Sequence, residues 1–234
     1  MLFDLQSKGR RTAVKIIYLG LAILIGGGLV LFGIGTSGGG GLLDVFSDQS
    51  QDISSQVSNA EKRAQRAVRL NPRDAEAWAV LARTRYQRAG QGDNFNESAG
   101  TFTEQGQEQL RSAAAAWDRY LALNPPRLDA NVARLMAIAF GETGLNQPAE
   151  AARALEIVTE EDPSSAAFSN LASYAWLAGQ QRKGDLAAAE AIRLAPEAQR
   201  RTLRRQLDRI NQEIQRQAIQ EAIDSGALRT STTR

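Results

Sequence analysis

Two patterns of apolar residues divide the chain. Ile16 to Gly35 is an unbroken uncharged run made mostly of Ile, Leu, Val and Gly. As a helix rising about 1.5 Å per residue it reaches roughly 30 Å, the thickness of a hydrocarbon core. Beyond residue 50 the apolar residues recur instead three and four apart, the spacing of amphipathic helices that bury one face. Prolines close these stretches in four similar endings: Val68-Arg69-Leu70-Asn71-Pro72, Leu121-Ala122-Leu123-Asn124-Pro125, Thr159-Glu160-Glu161-Asp162-Pro163 and Ile192-Arg193-Leu194-Ala195-Pro196. Proline cannot continue a helix and disfavours helical geometry in the residue before it, so each marks a stop and a fresh start. Between consecutive stops falls one further break, at Gly90, Gly144 or Gly179. Each interval therefore reads as two helices joined by a turn, and the predicted class is all-α. The prolines are 53, 38 and 33 residues apart; helix pairs of about 34 residues are the sequence sign of a helical solenoid.

These residues resemble the tetratricopeptide repeat (TPR) family. Ala75-Glu76-Ala77-Trp78 with Leu81, Ala82 and Tyr86 looks like its helix A, although Arg85 stands where the family places an aromatic and Tyr86 comes one position later. The following helix B is expected from about Glu108 to Asn124, with Ala113, Trp117 and Pro125 in place and Tyr120 substituting for an alanine. The next unit carries Ala133, Met136, Ala137 and Phe140, then Ala151, Leu155 and Val158. The last has Phe168, Leu171 and Ala172, then Gly184, Ala188 and Ala191. The first helix, from about Val57 to Leu70, matches only a B half through Ala60, Ala67 and Pro72. The resemblance implies a helix-turn-helix solenoid over roughly residues 55–196, in a single-pass, membrane-anchored bacterial TPR protein.

Two segments depart from the repeat. Residues 91–107 are an insertion, polar except for Phe95, Ala99 and Phe102. It reads as a docked or mobile surface loop; its Asp93, Asn94, Asn96 and Glu97 lack calcium-loop spacing. Asn96-Glu97-Ser98 fits the glycosylation sequon, a short pattern. From Glu197 to about Asp224 a continuous helix is expected, with Leu203, Leu207, Ile210 and Ile214 on one stripe and Arg200, Arg201, Arg204, Arg205, Arg209 and Arg216 mostly off it. A solenoid needs an end cap with a polar outer face, and this helix suits that role. Coiled-coil spacing is met for under two heptads. Asp208 and Glu213 interleave with the arginines and no aromatic accompanies them, which favours a solvated face, and no nucleic-acid partner is expected.

Charge orients the apolar run. Lys8, Arg10, Arg11 and Lys15 precede it and no comparable cluster follows, so the positive-inside rule places the N-terminus in the cytoplasm and the repeats outside. A cleaved secretory signal shares the basic flank, but the run exceeds the usual apolar length and no Ala-x-Ala site follows, which favours an uncleaved anchor. Ala22-x-x-x-Gly26 would allow two such helices to approach, lipid-facing packing being the plainer reading. Thr36 to Gly41 is a Gly/Ser tether; it lacks the Gly-Lys-Ser/Thr of a phosphate loop. The chain thus divides into a basic cytoplasmic flank (1–15), a transmembrane helix (16–35), a Gly/Ser-rich linker (36–50), a TPR-like domain (51–196), a long C-terminal capping helix (197–225) and a flexible tail (226–234). The location is the cytoplasmic membrane.

Composition narrows the chemistry. The net charge of +2 averages a basic flank, a mildly acidic repeat region and an Arg-rich C-terminal segment. The 234 residues include no histidine and no cysteine, which excludes imidazole bases, cysteine nucleophiles and metal sites of the nitrogen and sulfur kind. Disulfides are excluded too. The carboxylates are scattered over helical faces, and the four lysines offer no seat for a Ser–Lys dyad. No cofactor and no catalytic residue is assigned. The reading is a scaffold or adaptor that binds a protein or peptide. In the family the resemblance points to, helix A residues line a concave groove; the matching positions are Arg83, Tyr86, Asn131, Arg134, Ser173 and Trp176. Tyr86 and Trp176 read equally well as core residues in shifted register. The alternative is a structural or chaperone-like subunit of a membrane translocation or envelope-assembly complex. A homo-oligomer could form through the transmembrane or the C-terminal helix.

Overall fold

The computed structural model describes residues 50–225; the expected flank, transmembrane helix, tether and tail lie outside them. Among the described residues the fold is all-α: eight α-helices, one 3-10 turn and one hairpin of two-residue strands. No helix among them is long and apolar enough to cross a membrane. The chain divides into two compact units, one ending at Asn146 and the other beginning at Gln147.

The first unit contains α1 (Ser50–Leu70), α2 (Ala75–Ala89), α3 (Glu104–Ala122) and α4 (Ala130–Ala139). The stop at Pro72 is built as its sequence suggests. The Asp74 side chain caps α2 by accepting from the Ala77 amide at 3.0 Å, and the Trp78 indole donates to the Pro72 carbonyl at 3.0 Å. α2 packs most extensively along α3, and also against α1 and α4. Leu81, Ala82, Leu110, Ala113, Trp117, Val132, Ala133 and Met136 form the interior; the small alanines allow the close approach that large residues between helices then fill.

Two departures from the repeat pattern acquire physical reasons. Arg85, in the place of an aromatic, reaches the buried carboxylate of Glu61 on α1 at 3.6 Å and donates to the Ser112 carbonyl on α3 at 3.0 Å. Arg88 completes the pairing, its guanidinium 2.7 Å from Glu61. One cationic side chain thus joins three helices. Tyr120, in the place of an alanine, is buried and its hydroxyl accepts from the Asp129 amide at 2.7 Å, pinning the loop between α3 and α4.

The insertion is docked. After a 3-10 turn at Gly92–Asn94, strands β1 (Phe95–Asn96) and β2 (Thr101–Phe102) pair antiparallel, and the Phe95 and Phe102 rings meet edge to face with centroids 5.1 Å apart. Asn94 donates through its side chain to the Arg88 carbonyl at 2.9 Å and accepts at its own carbonyl from the Thr103 amide at 2.9 Å. Thr103 caps α3, so that helix begins at Glu104, four residues before the expected Glu108. The hairpin lies so close to α3 that a β-carbon on Gly106 would sit 2.0 Å from the Asn94 carbonyl oxygen.

The second unit contains α5 (Pro148–Glu161), α6 (Ser165–Leu177), α7 (Gln181–Leu194) and α8 (Glu197–Asp224). Ser164 caps α6, and Gly179, at φ +71°, makes the turn into α7 that a residue with a β-carbon rarely adopts. α6 packs along α7 with α5 against it, and α8 lies on both helices of that hairpin. Leu207 and Ile214 of α8 are buried, Leu203 and Ile210 half-buried, and its six arginines exposed, the division expected of a cap. Arg200 also donates to the Ala195 and Arg193 carbonyls at 3.0 and 3.3 Å, satisfying acceptors that the end of α7 leaves open.

Candidate functional site

The six residues assigned to a groove separate into two groups. Arg83 and Tyr86 lie one turn apart on α2 and are half-buried; burial pushes the Tyr86 phenol up to about 12. Asn131 and Arg134 lie one turn apart on α4, where the Arg134 guanidinium donates to the Asn131 side-chain oxygen at 3.3 Å. Because α4 packs against α2, these four belong to a pair of touching helices. Asn131 is exposed and Arg134 half-buried, so both can meet a partner.

Ser173 and Trp176 are corrected. Ser173 is buried, its hydroxyl donating to the Ser169 carbonyl of the same helix at 3.1 Å. Trp176 is 5% exposed, and its indole nitrogen donates to Asp185 at 3.0 Å. The ring is turned into the α6–α7 interface. Gly184 makes room for it: a β-carbon there would lie 2.3 Å from Cδ1 and 2.4 Å from Nε1 of the indole. Neither side chain is available to a ligand, and Trp176 is a core residue.

A cleft that the sequence reading missed lies on this same hairpin. It is shallow and largely open to solvent, about 700 Å³ over Phe168 and Leu171 of α6 and Leu186 and Ala187 of α7, with Gln180, Gln181, Arg182 and Lys183 also lining it. Leu186 is 64% exposed, a large apolar side chain left in water. Lys183 is paired with Glu156 at 2.6 Å, whereas Arg182 is exposed. The Gln180 side-chain oxygen is buried with no hydrogen-bond partner. The available signal was Leu186 itself. It lies off the Gly184, Ala188, Ala191 face of α7, so interior packing does not account for it.

Apolar walls, cationic and amide rims and an open mouth suit the docking of a side-chain-bearing segment. Among the described residues no group of three or more acidic side chains is placed to hold a metal ion. Comparison with protein-family models finds no match, and comparison with curated proteins finds none either.

Proposed function

We propose that this chain is a membrane-anchored, TPR-type scaffold that holds a protein or peptide partner outside the cytoplasm. The observation that carries the binding role is the open apolar cleft of α6 and α7, with Leu186 exposed beside the cationic Arg182. Leu186 and Arg182, both exposed on the first two turns of α7, would offer such a partner one apolar and one cationic contact. The exposed Asn131 and half-buried Arg134 offer a second, polar contact on the first unit. The anchor and the orientation rest on the uncharged run 16–35 and the basic residues before it.

Affinity purification of the detergent-solubilised full chain tests the binding role, comparing wild type with Leu186→Glu and with Arg134→Ala. The Leu186→Glu variant should lose its co-purifying partners while retaining wild-type helicity. If both variants recover the wild-type partners in wild-type amounts, the binding surfaces are wrongly assigned. A reporter fused after Arg234 and active only outside the cytoplasm tests the orientation; activity of a cytoplasm-only reporter there overturns it.

A further inference from the structure

α1 buries Val57, Glu61, Ala64 and Val68, the spacing of one helical face, and packs against α2. Opposite that face run Lys62, Arg66 and Arg69, at i, i+4 and i+7, all exposed. Arg63 flanks them and Arg73 follows the helix end; both are exposed too. From Gln56 to Arg73 the one acidic residue is Glu61. It is 4% exposed, faces inward and is held by Arg85 and Arg88, so it neutralises none of the stripe. Among the described residues none of the five cations is ion-paired. Arg69 donates through Nε to the Gln65 carbonyl at 3.2 Å, an uncharged acceptor. The acids that follow are Asp74, whose carboxylate caps α2, and Glu76 in the first turn of that helix. The arginines of α8 differ, since Asp208 and Glu213 interleave with them and Arg216 pairs with Glu213 at 3.1 Å.

Position along the chain says what meets the stripe. Only residues 36–49 separate α1 from the uncharged run 16–35, and at about 3.5 Å per residue they reach at most roughly 50 Å. A surface held that close meets its own membrane as an intramolecular partner. Headgroup phosphates complement a row of cations, and the membrane interface also accepts an apolar side chain beside them; Leu70, at the end of the stripe, is 82% exposed. The stripe begins beyond the roughly 15–20 residues over which flanking charge sets orientation, so it does not oppose the assigned topology. Resting on the reading of 16–35 as an anchor, we infer that α1 lays its Lys62, Arg66 and Arg69 face on anionic headgroups of the leaflet to which the chain is tethered. α1 then lies along the bilayer surface with the rest of the first unit on its far side.

The chain contains no cysteine, so one introduced thiol carries one label. Full-length Asn59→Cys, exposed one turn before Lys62, and Ser98→Cys, exposed on the hairpin as a control, are labelled with a fluorophore. Each is reconstituted into vesicles whose headgroups carry a quencher, made of phosphatidylcholine alone or with about one-third phosphatidylglycerol. In the anionic vesicles quenching at position 59 should exceed that at 98. It should fall to the control level in neutral vesicles, and at about 1 M salt, where the screening length is roughly 3 Å. Each basic residue near an anionic surface strengthens binding about fivefold, so Lys62→Gln, Arg66→Gln and Arg69→Gln together should lower the docked-to-undocked ratio roughly a hundredfold. Circular dichroism should show wild-type helicity for that variant, because all three side chains are exposed. The proposal is overturned if quenching at 59 equals the control or does not depend on lipid charge. It is equally overturned if an added oligonucleotide, and not lipid, shields the label, which would assign the stripe to nucleic acid. Failure of the anchor reads separately, as release of the chain from the vesicles by an alkaline wash; position 59 judges the docking in either case.

Discussion

Gly184 and Trp176 give the sharpest test of the packing that withdrew a residue from the proposed groove. A β-carbon at Gly184 would lie 2.3, 2.4 and 2.8 Å from three atoms of the indole, where carbon contacts settle at about 3.5–4.0 Å. The ring would have to retreat by about an ångström. It is almost fully buried and tied to Asp185 at 3.0 Å, so the strain falls in the range of overpacked cores, about 1–3 kcal/mol, and near the top of it. Against this, alanine is favoured over glycine inside a helix by about 1 kcal/mol. Gly184→Ala should therefore destabilise the chain by about 1–2 kcal/mol net. Trp176→Ala alone should cost about 3–5 kcal/mol through the cavity it leaves. With the ring gone, Gly184→Ala should become stabilising by about 1 kcal/mol, which gives a coupling of roughly 2–3 kcal/mol between the two sites. Urea unfolding of the four variants, followed by far-ultraviolet circular dichroism in detergent, measures it. The reasoning fails if Gly184→Ala is neutral or stabilising with Trp176 present, or if the two changes simply add.

Three further outcomes are expected. Glu61→Ala should destabilise by about 1–3 kcal/mol, since it strands the half-buried Arg85. Arg88, 48% exposed at its side chain, should cost no more than about 1 kcal/mol on truncation to alanine; a larger effect for Arg88→Ala than for Glu61→Ala in denaturation would refute this ranking. Gly106→Ala should lift the 91–103 hairpin off α3, because the obstruction is the Asn94 backbone rather than a movable side chain. Limited proteolysis should then cut within that segment, and an unchanged digestion pattern would count against the docking. The Tyr86 phenol, held up at about 12, keeps its proton in the folded chain while the unfolded chain loses it near pH 10. Its contribution is complete below pH 10 and is lost as the pH rises through 10 to 12, by about 1–3 kcal/mol in all. A tyrosinate absorbance difference between wild type and Tyr86→Phe should show ionisation near pH 12; a midpoint near 10 contradicts the burial.

The helix ends were legible because proline, glycine and capping residues act locally. Pro72, Pro125, Pro163 and Pro196 each follow a helix that ends two or three residues before them, and Glu197–Asp224 is one helix. The start of α3 was less so, since Thr103 caps it only because the insertion folds back to bring Asn94 to Gly106. Rotation about a helix axis was the other weak point. What decides the direction of the Trp176 ring is the missing side chain of Gly184 on another helix. Arg85 and Tyr120 stood out as misfits to the repeat, and only their partners Glu61, Ser112 and Asp129 explain them. The cleft arises from two helices side by side, which no single helical stripe reveals.

The claim that the α6–α7 cleft is a binding surface is tested most directly by replacing Leu186 with a photo-crosslinking residue in the full chain and irradiating intact cells. A discrete adduct at position 186, stronger than that from the same residue at exposed position 98, is the expected result. Equal or no adduct formation at the two positions would contradict it.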